Sequence, residues 1–142
     1  MTPVVLAVYN RPDLTESALA RLAKVRPPRV LIFADGPKDD EDAAKCATVR
    51  KIVQRGLAWK TDASFNFSDV NLGCRERIES GLDWAFSLVD RAFILEDDIE
   101  VAEEFFAFAE RGLQLFEGDR DVFAISAFNA LISYSPAVDS PA

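Results

Sequence analysis

Glu96, Asp97 and Asp98 stand side by side directly after Ala92-Phe93-Ile94-Leu95, an apolar run that reads as a fully buried strand and is too short for a buried helix. Carboxylates packed this closely repel one another. The arrangement becomes favourable once a divalent cation or a hydrogen-bonding ligand shares the site. Ligands of open α/β sheets bind outside the carboxyl ends of the strands, which is where this triplet falls. A solvated acidic turn before a helix starting near Val101 accounts for the same residues, because acids also suit a helix N-terminus. The triplet alone does not choose between them. Two further turns follow apolar runs: Asn10-Arg11 and Asp35-Gly36. An acid in such a turn suits the N–H of a base or a sugar hydroxyl, and Gly36 lets the backbone turn tightly or approach a ligand. Arg75 and Arg77 fall in the first turn of a predicted helix, where the macrodipole favours anions. They are useful there if an anion binds nearby, and otherwise they are exposed or paired with Glu76 and Glu79.

The elements that position these residues alternate. Pro3 to Tyr9 reads as a buried strand, broken by Asn10-Arg11-Pro12, with Asn10 or Asp13 as candidate caps. Leu14, Ala18, Leu19 and Leu22 repeat at helical spacing as far as about Lys24, and Pro27-Pro28 ends that helix. Arg29 to Ala34 is a second strand. The acidic stretch Asp39 to Asp42 leads into a helix with Cys46, Val49 and Val53 on one face and Gly56 as terminator. Ser64-Phe65-Asn66-Phe67 is a weak third strand and Asn71 to Cys74 a turn. A helix from Arg75 should then turn Ile78, Leu82, Ala85, Phe86 and Val89 to the core. After the central strand and its acids comes a helix carrying Phe105, Phe106, Ala109, Leu113 and Phe116, a core stripe ended by Gly118, and Val122 to Ser126 is a last strand. The expectation is an α/β fold with a mostly parallel sheet of about five strands covered by helices. One domain, residues 1–130, is followed by a loose tail, 131–142.

Composition narrows the function. The 142-residue chain carries a net charge of −8 and no histidine, and no basic cluster tracks a phosphate backbone, so nucleic acid is not an expected partner. Without histidine, a zinc enzyme of the common kind and a serine triad are out. There is no Walker A sequence and no G-x-G-x-x-G. Cys46 and Cys74 match no metal spacing and read as reduced thiols. The apolar runs fall short of the ~18–20 residues that span a membrane, and the N-terminus lacks a signal-peptide layout. A soluble, cytoplasmic protein is expected.

Three stretches taken together resemble a known family. Val4-Val5-Leu6-Ala7-Val8-Tyr9-Asn10-Arg11-Pro12, the Asp35-Gly36 turn and the run from Leu95 to Phe106 resemble GT-A glycosyltransferases, in particular the N-acetylglucosaminyltransferase I group and its bacterial relatives. Ala124 to Asn129 is similar to the segment downstream of the acidic motif in that group. The resemblance implies a Rossmann-like domain that binds a nucleotide-diphospho-sugar, commonly a UDP-sugar, with Mn²⁺ or Mg²⁺. On the matching positions, Asn10 and Arg11 would lie at the donor, Arg11 on the base or phosphates, and Asp35 on the uracil. Asp97 would reach the ribose or sugar, Glu96 would act through the sugar or the metal's water, and Asp98 would bind the metal. Arg75 stands where eukaryotic members carry a histidine near the phosphates, a departure that arginine's affinity for phosphate tolerates.

Members of that group continue well past the equivalent of Asn129, with the acceptor site and the general base in the later part, and no catalytic base can be named in this chain. The expectation is therefore the donor-binding half of an inverting hexosyl- or N-acetylhexosaminyltransferase, its acceptor a saccharide, lipid or protein. Such a half would expose part of its sheet and self-associate. The alternatives are a non-catalytic nucleotide-sugar-binding fragment and a sugar-phosphate nucleotidyltransferase, which would want a glycine-rich basic loop where Asn10-Arg11-Pro12 stands. A receiver-type signalling domain would place its acid cluster after the first strand, and here the order disagrees.

Overall fold

Five apolar residues in succession make strand β1, Val4–Val8, and all five are buried, as expected of a strand covered on both faces. A computed structural model describes residues 1–127 and places β1 inside a four-stranded parallel sheet. Strand β2 (Arg29–Ala34) flanks it on one side, with β3 (Asp62–Phe67) beyond, and β4 (Phe93–Glu96) flanks it on the other. The order β3-β2-β1-β4 means that the chain first steps outward through β2 and β3 and then crosses back beyond β1. The direction of winding reverses between β1 and β4, the place where open α/β sheets hold ligands.

Each crossover is a helix whose ends follow from local chemistry. Helix α1 (Pro12–Val25) starts with Pro12 at its first turn, where the missing N–H costs nothing. Arg11 is its N-cap, and neither Asn10 nor Asp13 caps it with a side chain. Arg26 ends it in the left-handed region (φ 52°), its N–H returning to the Leu22 carbonyl, just before Pro27-Pro28. Helix α2 (Asp40–Arg55) is capped by the Asp39 carboxylate, which accepts the Asp42 N–H at 2.9 Å. Helix α3 (Cys74–Phe86) begins after Gly73 with no side-chain cap, and helix α4 (Glu103–Leu115) follows the acidic triplet.

The two faces of the sheet are unequal. Leu19 and Leu22 of α1, Val49 and Val53 of α2 and Phe106 and Ala109 of α4 pack with Val4, Leu6, Val30, Ile32 and Leu95 into the larger core. On the opposite face α3, with Val89 and Ala92 from the segment after it, covers Val5, Ala7, Leu31 and Phe33. It approaches closely because Gly81 has no side chain; a Cβ there would fall 2.5 Å from the Phe33 ring.

Several expectations change. The sheet has four strands among the described residues rather than about five: Val122 to Ala127 forms no strand, and Ile125 lies against Gly112 of α4 instead, tertiary contact overriding a short run's β-propensity. Strand β4 is half-buried and lies at the sheet edge, not fully buried at the centre. Its residues alternate, and Ile94 is 46% exposed. Phe86 and Phe116, expected in the core, are largely exposed at the ends of their helices. The 131–142 tail, with Phe128 and Asn129, lies outside the described residues. Among the described residues no helix is long and apolar enough to cross a membrane.

Candidate ligand cleft

A cleft of about 260 Å³ opens at the carboxyl ends of β1, β2 and β4 and at the start of α3. Five of the site residues expected from the sequence line it: Arg11, Asp35, Glu96, Asp97 and Asp98. Tyr9, Lys38, Asn71, Gly73 and Arg77 complete the polar lining, and Ala7, Val8 and Phe33 form its floor.

One wall is tied together by two carboxylates. Buried Asp35 accepts the Gly36 and Leu72 N–H groups on Oδ1, both at 2.9 Å. Its Oδ2 accepts the Gly73 N–H at 3.0 Å and the Asn71 amide at 3.1 Å. Four donors fill the four acceptor positions of a carboxylate, so Asp35 holds the loop 71–73 against the end of β2. The loop crosses Gly36 so closely that a Cβ there would meet the Val70 backbone at 2.3 Å. Buried Asp42, behind the cleft in the first turn of α2, accepts from the Tyr9 hydroxyl, the Asn10 amide and the Lys38 N–H. Asn71 joins the two sets, donating to the Tyr9 oxygen at 3.1 Å. The loops after β1, β2 and β3 thus form one hydrogen-bonded unit.

This network sets the protonation of its members. Burial pushes the Asp42 carboxyl up, but the hydrogen bonds from Tyr9, Asn10 and Lys38 together outweigh it and hold the group below its usual range. Burial, the bond to Asp42 and the charge of Asp42 push the Tyr9 phenol well above its own. Both shifts favour an ionised Asp42 and a protonated Tyr9 at neutral pH, the states that this donor–acceptor pair needs.

The other wall is acidic and loosely held. Asp97 is 7% exposed, yet its partners are a long contact from the Thr15 hydroxyl, at 3.4 Å, and the Tyr9 N–H. Burial, with the charge of Asp98, pushes its carboxyl up despite Arg11 nearby. Asp98 is half-exposed and paired with Arg11, Nη1 to Oδ2 at 2.7 Å. Among the described residues no three histidine, cysteine, aspartate or glutamate side chains converge to hold a metal ion by themselves. The Arg11 guanidinium already places a positive charge where Asp98 would meet such an ion.

Two sequence candidates stand elsewhere. Asn10 is committed to Asp42 and does not line the cleft. Arg75 points away from it, with an 89% exposed side chain paired to Glu79 at 3.0 Å. Of the two first-turn arginines of α3, Arg77 is the one that lines the cleft. It is 6% exposed, bonded to the Asn66 carbonyl and side chain at 2.6 and 2.7 Å, and stacked 5.1 Å above the Phe33 ring. Burial lowers its pKa and the charge of Asp35 raises it. The helical spacing of Arg77, Gly81 and Ala85, four residues apart, puts Arg77 on the sheet-facing stripe. Tyr9, Lys38, Asn71 and Asp42 carry no such signal: in the sequence they look like a strand end, two turns and an acidic lead-in.

No protein-family model matches the chain.

Proposed function

We propose that this cleft binds a nucleotide-diphospho-sugar together with a divalent cation, as the donor site of a glycosyltransferase-like domain. The observation that carries the reading is the pairing of two unlike walls at the sheet's switch point. The tied wall offers the Tyr9 ring with the Lys38 ammonium 5.6 Å from its centre, an aromatic and a cationic group beside the place for a base and ribose. The acidic wall offers Asp97, buried with little to neutralise it, and Asp98 beside it. A divalent ion at Asp98 would bridge the diphosphate oxygens and stabilise charge on the leaving nucleotide. Arg11 and the uncapped first turn of α3 supply positive potential on either side of the cleft. A UDP-sugar with Mn²⁺ is the expected ligand, on the strength of the resemblance to GT-A glycosyltransferases.

Thermal unfolding with UDP, UDP-sugars, GDP, TDP and ATP, each with and without Mn²⁺, tests this. A ligand at 100 times its dissociation constant adds about 2.7 kcal/mol, several degrees in midpoint. The expected result is a shift with uridine diphosphates that needs Mn²⁺ and disappears in Asp98→Ala. No shift with any nucleotide, or one indifferent to Asp98, rejects the reading.

A further inference from the structure

Beyond β4 no further strand lies among the described residues, so its outer side is an open sheet edge. Phe93 and Asp97 donate their N–H groups toward the β1 side, to the Pro3 and Ala7 carbonyls at 2.8 and 3.2 Å. By the alternation of a strand, Ile94 turns its own N–H and carbonyl outward. A groove of about 700 Å³ lies beside that edge, lined by Ile94, Ile99, Phe105, Phe108 and Ile125. Ile94, Ile99 and Phe108 are 46%, 41% and 58% exposed. An open edge next to exposed apolar surface is a combination that proteins cover.

The chain itself leads into this groove. Ile125, Ser126 and Ala127, the last described residues, belong to its lining, and Ile125 is seated against Gly112 of α4. Phe128-Asn129-Ala130-Leu131-Ile132-Ser133-Tyr134 comes next, inside a stretch from Val122 to Val138 without one charged side chain. In a chain with 28% charged residues, so long an uncharged stretch suits burial better than solvent. An extended segment would put Phe128, Ala130, Ile132 and Tyr134 on one face, and Pro136 ends the part able to pair with an edge.

We propose that residues 128–134 dock along the open edge of β4, bonding to the Ile94 main chain and setting their apolar face into the groove. Strand addition of this kind takes affinity from main-chain hydrogen bonds and specificity from alternate side chains. Seven extended residues span about 23 Å, more than enough to run the length of a four-residue strand. A segment joined directly to the groove is present there at roughly millimolar effective concentration, which favours it over a second copy of the chain in dilute solution. Docking here is independent of what the ligand cleft binds.

Amide hydrogen exchange on the full chain, at two well-separated protein concentrations, tests this. In wild type the amides of 129–134 and of Ile94 should exchange at least about tenfold more slowly than in an unstructured peptide, equally at both concentrations. Ile132→Asp on the segment and Phe108→Asp on the exposed groove wall should each remove that protection, while β1 and β2 amides stay protected and show that the sheet is intact. Unprotected amides at 129–134 in wild type would overturn the proposal. So would protection that falls on dilution, which assigns the edge to a second copy, or protection that survives both substitutions, which places the segment elsewhere.

Discussion

The two walls of the cleft contain carboxylates in opposite circumstances. Asp35 and Asp42 are buried and saturated, each receiving at least three donors from loops that would otherwise be separate. Asp97 is as deeply buried but holds one long hydroxyl contact and one N–H, and Asp98 depends on a half-exposed ion pair. The first wall is finished by the protein. The second is held by fewer contacts, with Arg11 as the cation at Asp98. Identical side-chain chemistry thus ends in a carboxylate with its donors supplied in one place and in one with few donors in the other.

The largest expected effect is on the finished wall. Asp35→Ala strands the Gly36, Leu72 and Gly73 N–H groups, at a cost of about 3 kcal/mol or more in denaturant unfolding. A loss below about 1 kcal/mol would mean that the 71–73 loop is held by something else. Next comes Asp42→Ala, expected to cost about 2 kcal/mol at neutral pH. Because its folded pKa is depressed, that contribution is present above the unfolded carboxyl value of about 3.9 and fades as pH falls through the folded value. Wild type and Asp42→Ala should therefore converge in stability on acidification.

Asp97 should behave in the opposite sense in the metal-free protein. Its folded pKa is raised, so ionisation costs stability as pH climbs from about 3.9 through the folded value, and the cost is absent below. Asp97→Asn should raise the thermal midpoint by a few degrees at neutral pH, with the gain vanishing in acid. A destabilised Asp97→Asn at neutral pH would put Asp97 with the finished wall. The smallest effect belongs to Arg75→Ala, whose side chain meets Glu79 alone on an exposed surface. Its midpoint should move by less than about 2 °C. Arg77→Ala, which leaves the Asn66 acceptors unpaired and uncovers Phe33, should move it several times further.

The same contrast marks what the sequence could tell. Strands β1 and β2 and the helices between and after them were legible because Pro12, Pro27-Pro28, Asp35-Gly36 and Gly56 punctuate them and the apolar spacing is clean. The triplet's place at the end of a strand was legible too, although Glu96 is the strand's last residue and only Asp97 and Asp98 follow it. The strand's place in the sheet was not: Phe93-Ile94-Leu95 looks the same whether both faces are covered or one, and the exposure of Ile94 shows only in the fold. Arg75 and Arg77 look equivalent as residues in a first turn, and the stripe through Gly81 and Ala85 separates them. Asp35 was found by its turn, but its donors come largely from residues 36 to 38 positions onward, a long-range closure that no local pattern announces. Asp42 disappeared into an acidic stretch for the same reason.

The most direct measurement on the donor-site claim is a crystal structure of the protein with UDP and Mn²⁺, with anomalous data collected at the manganese edge. The account predicts one peak in the cleft within coordination distance of an Asp98 oxygen and of the diphosphate, with the 71–73 loop unmoved. Manganese bound away from Asp98, or UDP bound in the cleft with no metal peak, would contradict it.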